Sequence, residues 1–415
     1  MDLRLFRVAS TDESDPVPQN LKISPDERAA FLATQQSLKM ARSAHAFVRG
    51  STVSFYEWLE TGRVTDIPTG PAIWICGDCH LGNLGPLANA KGKVDIQIRD
   101  LDQTVIGNPA HDLIRLSLSL ASAARGSDLP GVTTARMLEE MIRGYGLALR
   151  EPGPDDLVPE PSVVRSVRRR ALGRRWDHLA RERIQDISPA IPLGQKFWAL
   201  ADEERQAIAA LFKEPEIKRL VLTLNARADT SKIEVVDAAY WMKGCSSLGK
   251  LRYAVLVEVI DSRQKTYALI DIKEAVEAAA PPHPSADMPA HYGARVVAGA
   301  RALSPNLGNR MLAANLMGHP VIIRELMPQD LKLEVDQFSR TQAVEAARYL
   351  AYVVGRAHAR QMDKAVRAEW SNELERRHPA DLNAPNWLWS SVVSLAAKHE
   401  EGYLEHCRRY ALEAV

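Results

Sequence analysis

Two short segments of the chain combine the residue types that phosphoryl transfer requires. Asp78 and Asn83 stand in the glycine-rich run CGDCHLGN, and Asp100 and Asp102 follow about seventeen residues after Asn83. In phosphoryl transfer one carboxylate orients the attacking hydroxyl, while a second carboxylate and an amide oxygen hold the bridging magnesium ions. Asp and Asn suit magnesium because the ion prefers hard oxygen ligands. The alternative is an ordinary set of turn-forming residues around a pair of strands.

The flanking sequence predicts the elements that position these residues. The short apolar run 73–75 predicts a buried strand leading into the glycine-rich loop. Residues 94–98 alternate apolar and polar side chains, which is typical of a strand, and this strand would end at Asp100. Residues 110–126 carry leucines on one face and predict a helix.

Farther along, the chain changes from helical to strand-rich and back to helical patterns, and we expect an α+β fold. We assign residues 1–230 to a helical lobe with the catalytic and metal-binding loops, 231–330 to a strand-rich nucleotide-binding lobe, and 331–415 to helices that complete the helical lobe. Residues 151–162, rich in Pro, Asp and Glu, read as a linker.

The strand-rich part offers a second set of candidates for binding phosphate. The run GCSSLG is a turn of small residues between strands, and such a turn brings backbone N–H groups close to phosphates. Its candidate residues are Gly244, Ser246, Ser247 and Gly249. Lys273 ends the next predicted strand, where a lysine could pair with phosphate. Alone, such a turn of small residues is common in plain hairpins, and a lysine after a strand usually lies on a solvated face.

The run CGDCHLGNLG…DIQIRDLDQTVIGNPAHDLIRL resembles the aminoglycoside and choline phosphotransferase branch of the kinase-like superfamily. The resemblance implies that Asp78 is the catalytic base, that Asn83 and Asp100 are magnesium ligands, and that Asp102 is an auxiliary ligand. It also implies that Asp112 is a buried carboxylate that braces the catalytic loop through backbone N–H groups.

The order of these segments predicts a circularly permuted, protein-kinase-like fold of two lobes. Glu325 would lie at the hinge between the lobes, where backbone groups contact adenine and the side chains of Arg324 and Glu325 would be incidental. The runs FVRG, CGDCHLGN, GCSSLGKLRY, LIDIKEA, ARVVAGARAL and VVGRAHARQ follow in the order found in an uncharacterised bacterial family, domain of unknown function twenty-two fifty-two. That resemblance implies a kinase-like assignment without an established substrate.

One departure from the kinase pattern concerns the partner of Lys273. The predicted helix 291–303 should supply a glutamate, but it offers Arg295, Ala298 and Arg301. Glu274 would point to the opposite face of the strand. Either another carboxylate holds Lys273, or activity is weak or absent.

Four further features have more than one interpretation. Arg49 could reach a phosphate or brace the catalytic loop, or it could cap the end of a helix. His80 could orient a substrate hydroxyl, although a structural hydrogen bond within the loop is the stronger hypothesis. The arginines within 165–175 could bind an acidic substrate or RNA, although a solvated helix face is the stronger hypothesis. The run CGDCH matches the C-x-x-C-H pattern of haem attachment, but no export signal or second set of zinc ligands accompanies it.

Composition sets the remaining expectations. The net charge is +1 with 46% hydrophobic residues, which argues against nucleic acid as a partner. Without a long apolar run or a disulfide framework, we expect a cytoplasmic protein that does not span a membrane. We expect ATP and Mg²⁺ as cofactors and a small molecule, or a protein, as the hydroxyl acceptor. A nucleotide-binding pseudokinase and an AMP-transferring enzyme remain open alternatives.

Overall fold

This computed structural model is mixed α and β, which confirms the predicted α+β class. It describes residues 24–42, 47–48, 50–62, 66–150, 158–184, 190–224, 227, 230–243, 248–261, 265–333, 339–376 and 384–410. Among the helices of these residues, none is long and apolar enough to cross a membrane.

The helices occupy both halves of the chain and are labelled here in chain order. They are α1 (Pro25–Ala41), α2 (Thr52–Glu60), α3 (Pro109–Gly126), α4 (Gly131–Leu149), α5 (Ser162–Leu172), α6 (Trp176–Ile184), α7 (Asp202–Leu211), α8 (Pro215–Leu222), α9 (Tyr292–Leu303), α10 (Pro305–Gly308), α11 (Arg340–Ala359), α12 (Lys364–Arg376) and α13 (Asn386–Tyr410).

The strands form two small hairpin-like pairs and one larger sheet. They are β1 (Ile73–Ile75), β2 (Leu84–Ala88), β3 (Val94–Ile98), β4 (Val105–Gly107), β5 (Phe197–Trp198), β6 (Lys232–Trp241), β7 (Arg252–Ile260), β8 (Lys265–Glu274), β9 (Met311–Leu316) and β10 (His319–Glu325). β1 pairs with β4 and β2 pairs with β3, whereas the six-stranded sheet has the order β5-β6-β7-β8-β10-β9. All of these pairings are antiparallel.

The largest hydrophobic core lies among the helices. It joins β1–β4 to α3, α4, α9, α11 and α13, and α4 and α11 pack closely on each other. The N-terminus of α3 follows from its sequence, because Asn108 accepts a hydrogen bond from the Ala110 N–H and Pro109 occupies the first turn. This helix carries the residues that brace the candidate site.

The six-stranded sheet is covered on both faces. Apolar residues of α1, α7 and α8 pack on one face and α6 packs on the other. β5 joins the sheet from residues upstream of the boundary expected near 230, while the domain boundaries themselves stay a prediction.

Helix α1 connects the two parts of the molecule. Arg28 of α1 forms a buried ion pair with Glu204 of α7, with 2.6 Å between Nη1 and Oε1. Tyr253 of the sheet donates to the same Glu204 oxygen at 2.9 Å. At its other end, α1 contacts α13, where the Tyr403 hydroxyl donates to the Ala41 carbonyl at 3.1 Å. The N-terminal helix thus ties the sheet to the helical core.

Candidate functional site

The loop after β1 presents Asp78 at the edge of the helical core. Arg115 of α3 donates from Nε to Oδ1 of Asp78 at 3.1 Å and forms a second, shorter bond from Nη2. Burial alone would raise the pKa of Asp78, but the Arg115 charge, His80 and hydrogen bonds from Arg115 and Thr52 together lower it. Asp78 is therefore held as a carboxylate, the form that a base or hydroxyl-orienting group requires.

Asp112 fixes the backbone of this loop from beneath. Its two carboxylate oxygens accept hydrogen bonds from the Cys76 N–H at 2.7 Å and the Gly77 N–H at 3.0 Å. Asp112 is fully buried, and Nε2 of His358 lies 3.2 Å from Oδ2. These are the backbone contacts expected of Asp112.

Gly77 allows the loop to turn sharply toward Asp78. Its φ is +75°, and a Cβ atom there would lie 2.1 Å from the Gln103 carbonyl oxygen. No other residue type fits such a close approach in this backbone conformation. The loop therefore packs directly against the segment that follows Asp100.

Asn83 lies between Asp78 and the Asp100 segment. Its Nδ2 donates to the Asp78 carbonyl at 3.0 Å, so this bond does not use Oδ1, the amide atom that can ligate a metal. The Asn83 carbonyl accepts from the Arg99 N–H at 2.7 Å. His80 is buried, with Nε2 at 4.0 Å from Oδ2 of Asp78.

Lys273 of β8 reaches the two acidic residues across the interface between the sheet and the helical core. Its Nζ lies 3.7 Å from Oδ1 of Asp100 and forms a short ion pair with Oδ2 of Asp102. The Lys273 side chain is 7% exposed and that of Asp100 is 52% exposed. Burial lowers the pKa of Lys273, and the negative charge of Asp100 partly offsets this decrease. Desolvation would raise the pKa of Asp100, but Lys273, Arg324 and Arg252 hold it well below its usual range.

Helix α9 contributes an arginine to the site where the kinase pattern would place an acid. Arg295 donates from Nη2 to the Asp102 carbonyl at 3.0 Å and to the Val276 carbonyl at 2.8 Å. α9 approaches this segment closely, because a Cβ atom on Gly299 would lie 2.4 Å from the Thr104 side chain. Lys273 is thus paired with Asp100 and Asp102, and α9 positions their backbone.

A second ion-pair group lies beside Lys273 on the same sheet face. Asp271 accepts from Nε and Nη2 of Arg252 at 2.9 and 2.7 Å, and from Nε and Nη2 of Arg324 at 3.2 and 3.1 Å. Burial would raise the pKa of Asp271, but the two guanidinium groups lower it well below its usual range. Arg324 was expected to have an incidental side chain. In the structure this side chain pairs with Asp271, because the register of β8 and β10 places the two residues opposite each other.

The predicted nucleotide contacts are only partly within the described residues. Gly244, Ser246 and Ser247 lie outside them, as does Arg49. Gly249 is described, with φ +90°, three residues before β7. Glu325 is buried and forms a bidentate ion pair with Arg227 at 2.6 and 2.8 Å, and its carbonyl accepts from Arg310 at 3.2 Å. In this conformation the protein itself uses the Glu325 carbonyl, one of the backbone groups that were expected to contact adenine.

The acidic residues of the site suit a magnesium ion that takes its other ligands from phosphate and water. Among the described residues there is no group of three or more His, Cys, Asp or Glu side chains that could hold a metal ion. Mg²⁺ in nucleotide sites is commonly bound by one or two carboxylates, with phosphate and water completing its shell. Asp100, which is half exposed, and Asn83 provide that type of incomplete donor set.

Sequence analysis missed three residues that bond directly within the site. Arg115 lies three positions after Asp112 on α3, and an i, i+3 spacing on the predicted helix could have placed it on the same face. Arg252 and Asp271 gave no local signal, since their pairing depends on the register between β7 and β8.

Comparison with known proteins identifies the sequence family. A family model described as "Uncharacterized protein conserved in bacteria (DUF2252)" matches residues 28–409. The matched range includes Asp78, Asp100 and Lys273, and the description names no activity. No curated protein and no solved structure matches the chain.

Proposed function

This chain belongs to DUF2252, a family of uncharacterized proteins conserved in bacteria, and we propose that it is an ATP- and magnesium-dependent phosphotransferase acting on a hydroxyl group. The observation that carries the proposal is the approach of Lys273 to 3.7 Å from Asp100, although the two belong to distant parts of the chain. A buried cation beside a half-exposed carboxylate suits a metal–phosphate group, which carries both signs of charge.

The residues divide the work of in-line transfer. Asp78 accepts or orients the hydroxyl proton, and Arg115 keeps that carboxylate ionised and directed by two hydrogen bonds. Asp100 and Asn83 hold Mg²⁺, with Asp102 as an auxiliary ligand, and Lys273 pairs with phosphate oxygens. When bound, the metal neutralises charge on the transferring phosphoryl group. The acceptor we favour is a small molecule, because the Asp78 loop resembles that branch of phosphotransferases.

The proposal includes a kinase-like arrangement of two lobes with permuted order. A strand-rich unit carrying Lys273 faces acidic loops from the helical core, and the acidic loops come first in the chain. Its support is the contact of Lys273 with Asp100 and Asp102, which joins the two segments.

Calorimetric titration with ATP and Mg²⁺ tests the metal role of Asp100. We expect the wild type to bind and Asp100→Ala to bind at least about tenfold more weakly, since one lost charge-assisted contact is worth roughly 1.5–3 kcal/mol. Asp95→Ala, on the preceding strand, is the matched control and should bind as the wild type does. Equal binding by wild type and Asp100→Ala would contradict the proposal.

Turnover with water as the acceptor tests the role of Asp78 and the type of transfer. We expect Asp78→Asn to lose about 10²–10⁴-fold in ATP hydrolysis, the usual contribution of a general base, with MgATP affinity nearly unchanged. Products of ADP and phosphate indicate phosphoryl transfer, whereas AMP and pyrophosphate would indicate the AMP-transferring alternative.

A nucleotide-binding pseudoenzyme is the second candidate function. It is favoured by the ion pair between Lys273 and Asp102 and by Arg295 on α9 in the region where a helix glutamate was expected. Binding of MgATP without any turnover, in wild type and Asp78→Asn alike, would decide for this candidate.

A further inference from the structure

The sheet face that carries Lys273 changes from charged to apolar along β8. Lys273, Asp271 and Leu269 alternate onto this face, and the register places Ala254 opposite Asp271 and Leu256 opposite Leu269. A nucleotide has a polyanionic tail and a flat, largely apolar base. If the phosphates lie at Lys273, the apolar strip of Ala254, Leu256 and Leu269 is the adjoining surface for the base.

Helix α6 now covers this strip. Leu179, Ala180 and Ile184 are buried at 3%, 0% and 0% exposure. They belong to the same hydrophobic cluster as Ala254, Leu256 and Leu269. The apolar surface that would receive a base is therefore already filled by the protein's own side chains.

Arg183 extends the same helix toward the charged end of the face. Burial lowers the pKa of Arg183. Glu182 and Asp271 raise this pKa, and Arg174 and Arg252 lower it further. The Arg183 guanidinium therefore lies within the electrostatic field of the Asp271 ion-pair group. Within the described part of the chain, the buried Arg183 Nε has no hydrogen-bond partner. The helix thus brings a cation, as well as apolar side chains, to the region of Asp271.

The remaining space is too small for phosphates. The cavity bordered by Asp100, Asp102, Lys273 and Arg324 has a volume of about 10 Å³. That is about enough for a single water molecule. A triphosphate cannot fit into this cavity as it stands.

We propose that α6 is an intramolecular plug, which occupies the base-binding surface and must leave the sheet before a nucleotide binds. The inference rests on the proposed function and adds how that function is regulated. Any factor that holds α6 on the sheet or releases it controls the access of ATP to the site.

Helix α6 has the properties of an element that can be displaced. It spans nine residues, which is shorter than helices that are stable without tertiary contacts. Its first turn borders a separate cavity of about 320 Å³, lined by Trp176 and Tyr267 among others. Parts of a folded protein can open locally at free energies below that of global unfolding.

Calorimetric titration of the full chain with MgATP tests the plug. Leu179→Ser and Ile184→Ser each weaken the contact with the strip, and we expect each to bind MgATP at least about tenfold more tightly than the wild type. Apparent affinity rises with the fraction of molecules in the binding-competent state. His178→Ser is the matched control, because it introduces the same residue at an exposed position of the same helix. It should bind as the wild type does.

The outcomes separate this inference from the function on which it rests. Binding of equal strength by wild type and both variants overturns the plug but leaves the phosphotransferase standing. Absence of binding in all of them overturns both. Tighter binding by the variants, lost again when Asp100→Ala is added, supports both.

Hydrogen exchange gives a second measurement that does not depend on the variants folding. Saturating MgATP should increase amide exchange in residues 176–184 of the wild type while decreasing it around Lys273. Unchanged or slower exchange in 176–184 on MgATP binding would overturn the plug.

Discussion

At the scale of single residues, Asp112 connects more of the site than any catalytic candidate does. It joins two loop N–H groups to His358, whose Nδ1 lies 2.9 Å from the Tyr145 hydroxyl, which in turn accepts from Trp370 at 3.0 Å. The position of Asp78 thus depends on a chain of buried polar groups that extends to α12.

Replacing Asp112 should therefore cost stability. We expect Asp112→Ala to lower the free energy of unfolding by about 3–5 kcal/mol, because two buried N–H groups lose a charged acceptor at roughly 1.5–3 kcal/mol each. Urea unfolding measures this. Arg125→Ala on the same helix breaks only an exposed ion pair with Glu400 and should cost at most about 1 kcal/mol. Similar losses in the two variants would contradict the assigned role.

Asp271 should make stability depend on pH. Its folded-state pKa lies below the ordinary value of about 3.9, so the ionised form stabilises the fold above that pH. This contribution declines as pH falls toward the folded-state pKa.

At pH 7 we expect Asp271→Asn to be less stable by about 3 kcal/mol, since two guanidinium groups lose their shared charge. The difference in stability between the wild type and Asp271→Asn should decrease by about 1 kcal/mol between pH 5 and pH 3, because the unfolded wild type takes up a proton in this range. Urea unfolding of both proteins across this pH range measures the difference. A difference in stability that does not change with pH would show that the ionised Asp271 is not its cause.

At the scale of elements, the fit of α9 against the Asp100–Thr104 segment decides where the carboxylates lie. Gly299→Ala places a methyl group 2.4 Å from the Thr104 side chain, so α9 must shift. We expect a loss of about 1–3 kcal/mol, as in other overpacked interfaces, together with weaker MgATP binding. Thermal unfolding and calorimetry measure the two effects.

Gly146→Ala provides the matched control for this prediction. Gly146 also lies within a helix, α4, but a Cβ atom there would meet nothing within 4 Å. Alanine favours the helical backbone over glycine by roughly 0.5–1 kcal/mol, so this variant should be neutral or slightly more stable. If both variants behave alike, the close approach of α9 has no energetic consequence.

The elements also mark what sequence patterns can predict. β3 was predicted because one face is buried and its residues alternate, whereas β2 was missed because all five of its residues are buried and give no alternation. Helix α6 was missed because the charged residues Arg181, Glu182 and Arg183 separate its buried residues Leu179 and Ala180 from Ile184. Local periodicity reports a face only when solvent covers the other face.

The residues of the site also divide into those that sequence patterns could predict and those that they could not. Asp78, Asp112 and Lys273 could be proposed from motifs and spacing, because each stands beside a recognisable turn or strand end. Arg252 and Asp271 could not, since only strand register brings them together. The occupation of the sheet face by α6 is a matter of tertiary packing with no counterpart in local sequence.

At the scale of the whole molecule, α1 holds the sheet against the helical core, and the Arg28–Glu204 pair is its main polar contact with the sheet unit. Glu204→Ala leaves Arg28 buried and without its carboxylate. We expect a loss of about 3–5 kcal/mol in the free energy of unfolding. Glu203→Ala, at the exposed neighbouring position, should change stability by less than about 0.5 kcal/mol. Equal stability of the two variants, measured by urea unfolding, would argue against α1 as a connecting element.

The 171-residue separation between Asp102 and Lys273 has a consequence for biosynthesis. At about 5–20 residues per second, a ribosome releases the acidic half of the cleft roughly 10–35 s before the lysine that neutralises it. During that interval the nascent chain displays carboxylates without their cation, and no arrangement of the early residues can complete the cleft. The ion pair between Lys273 and Asp102 therefore forms late, after β8 emerges and pairs with its neighbours.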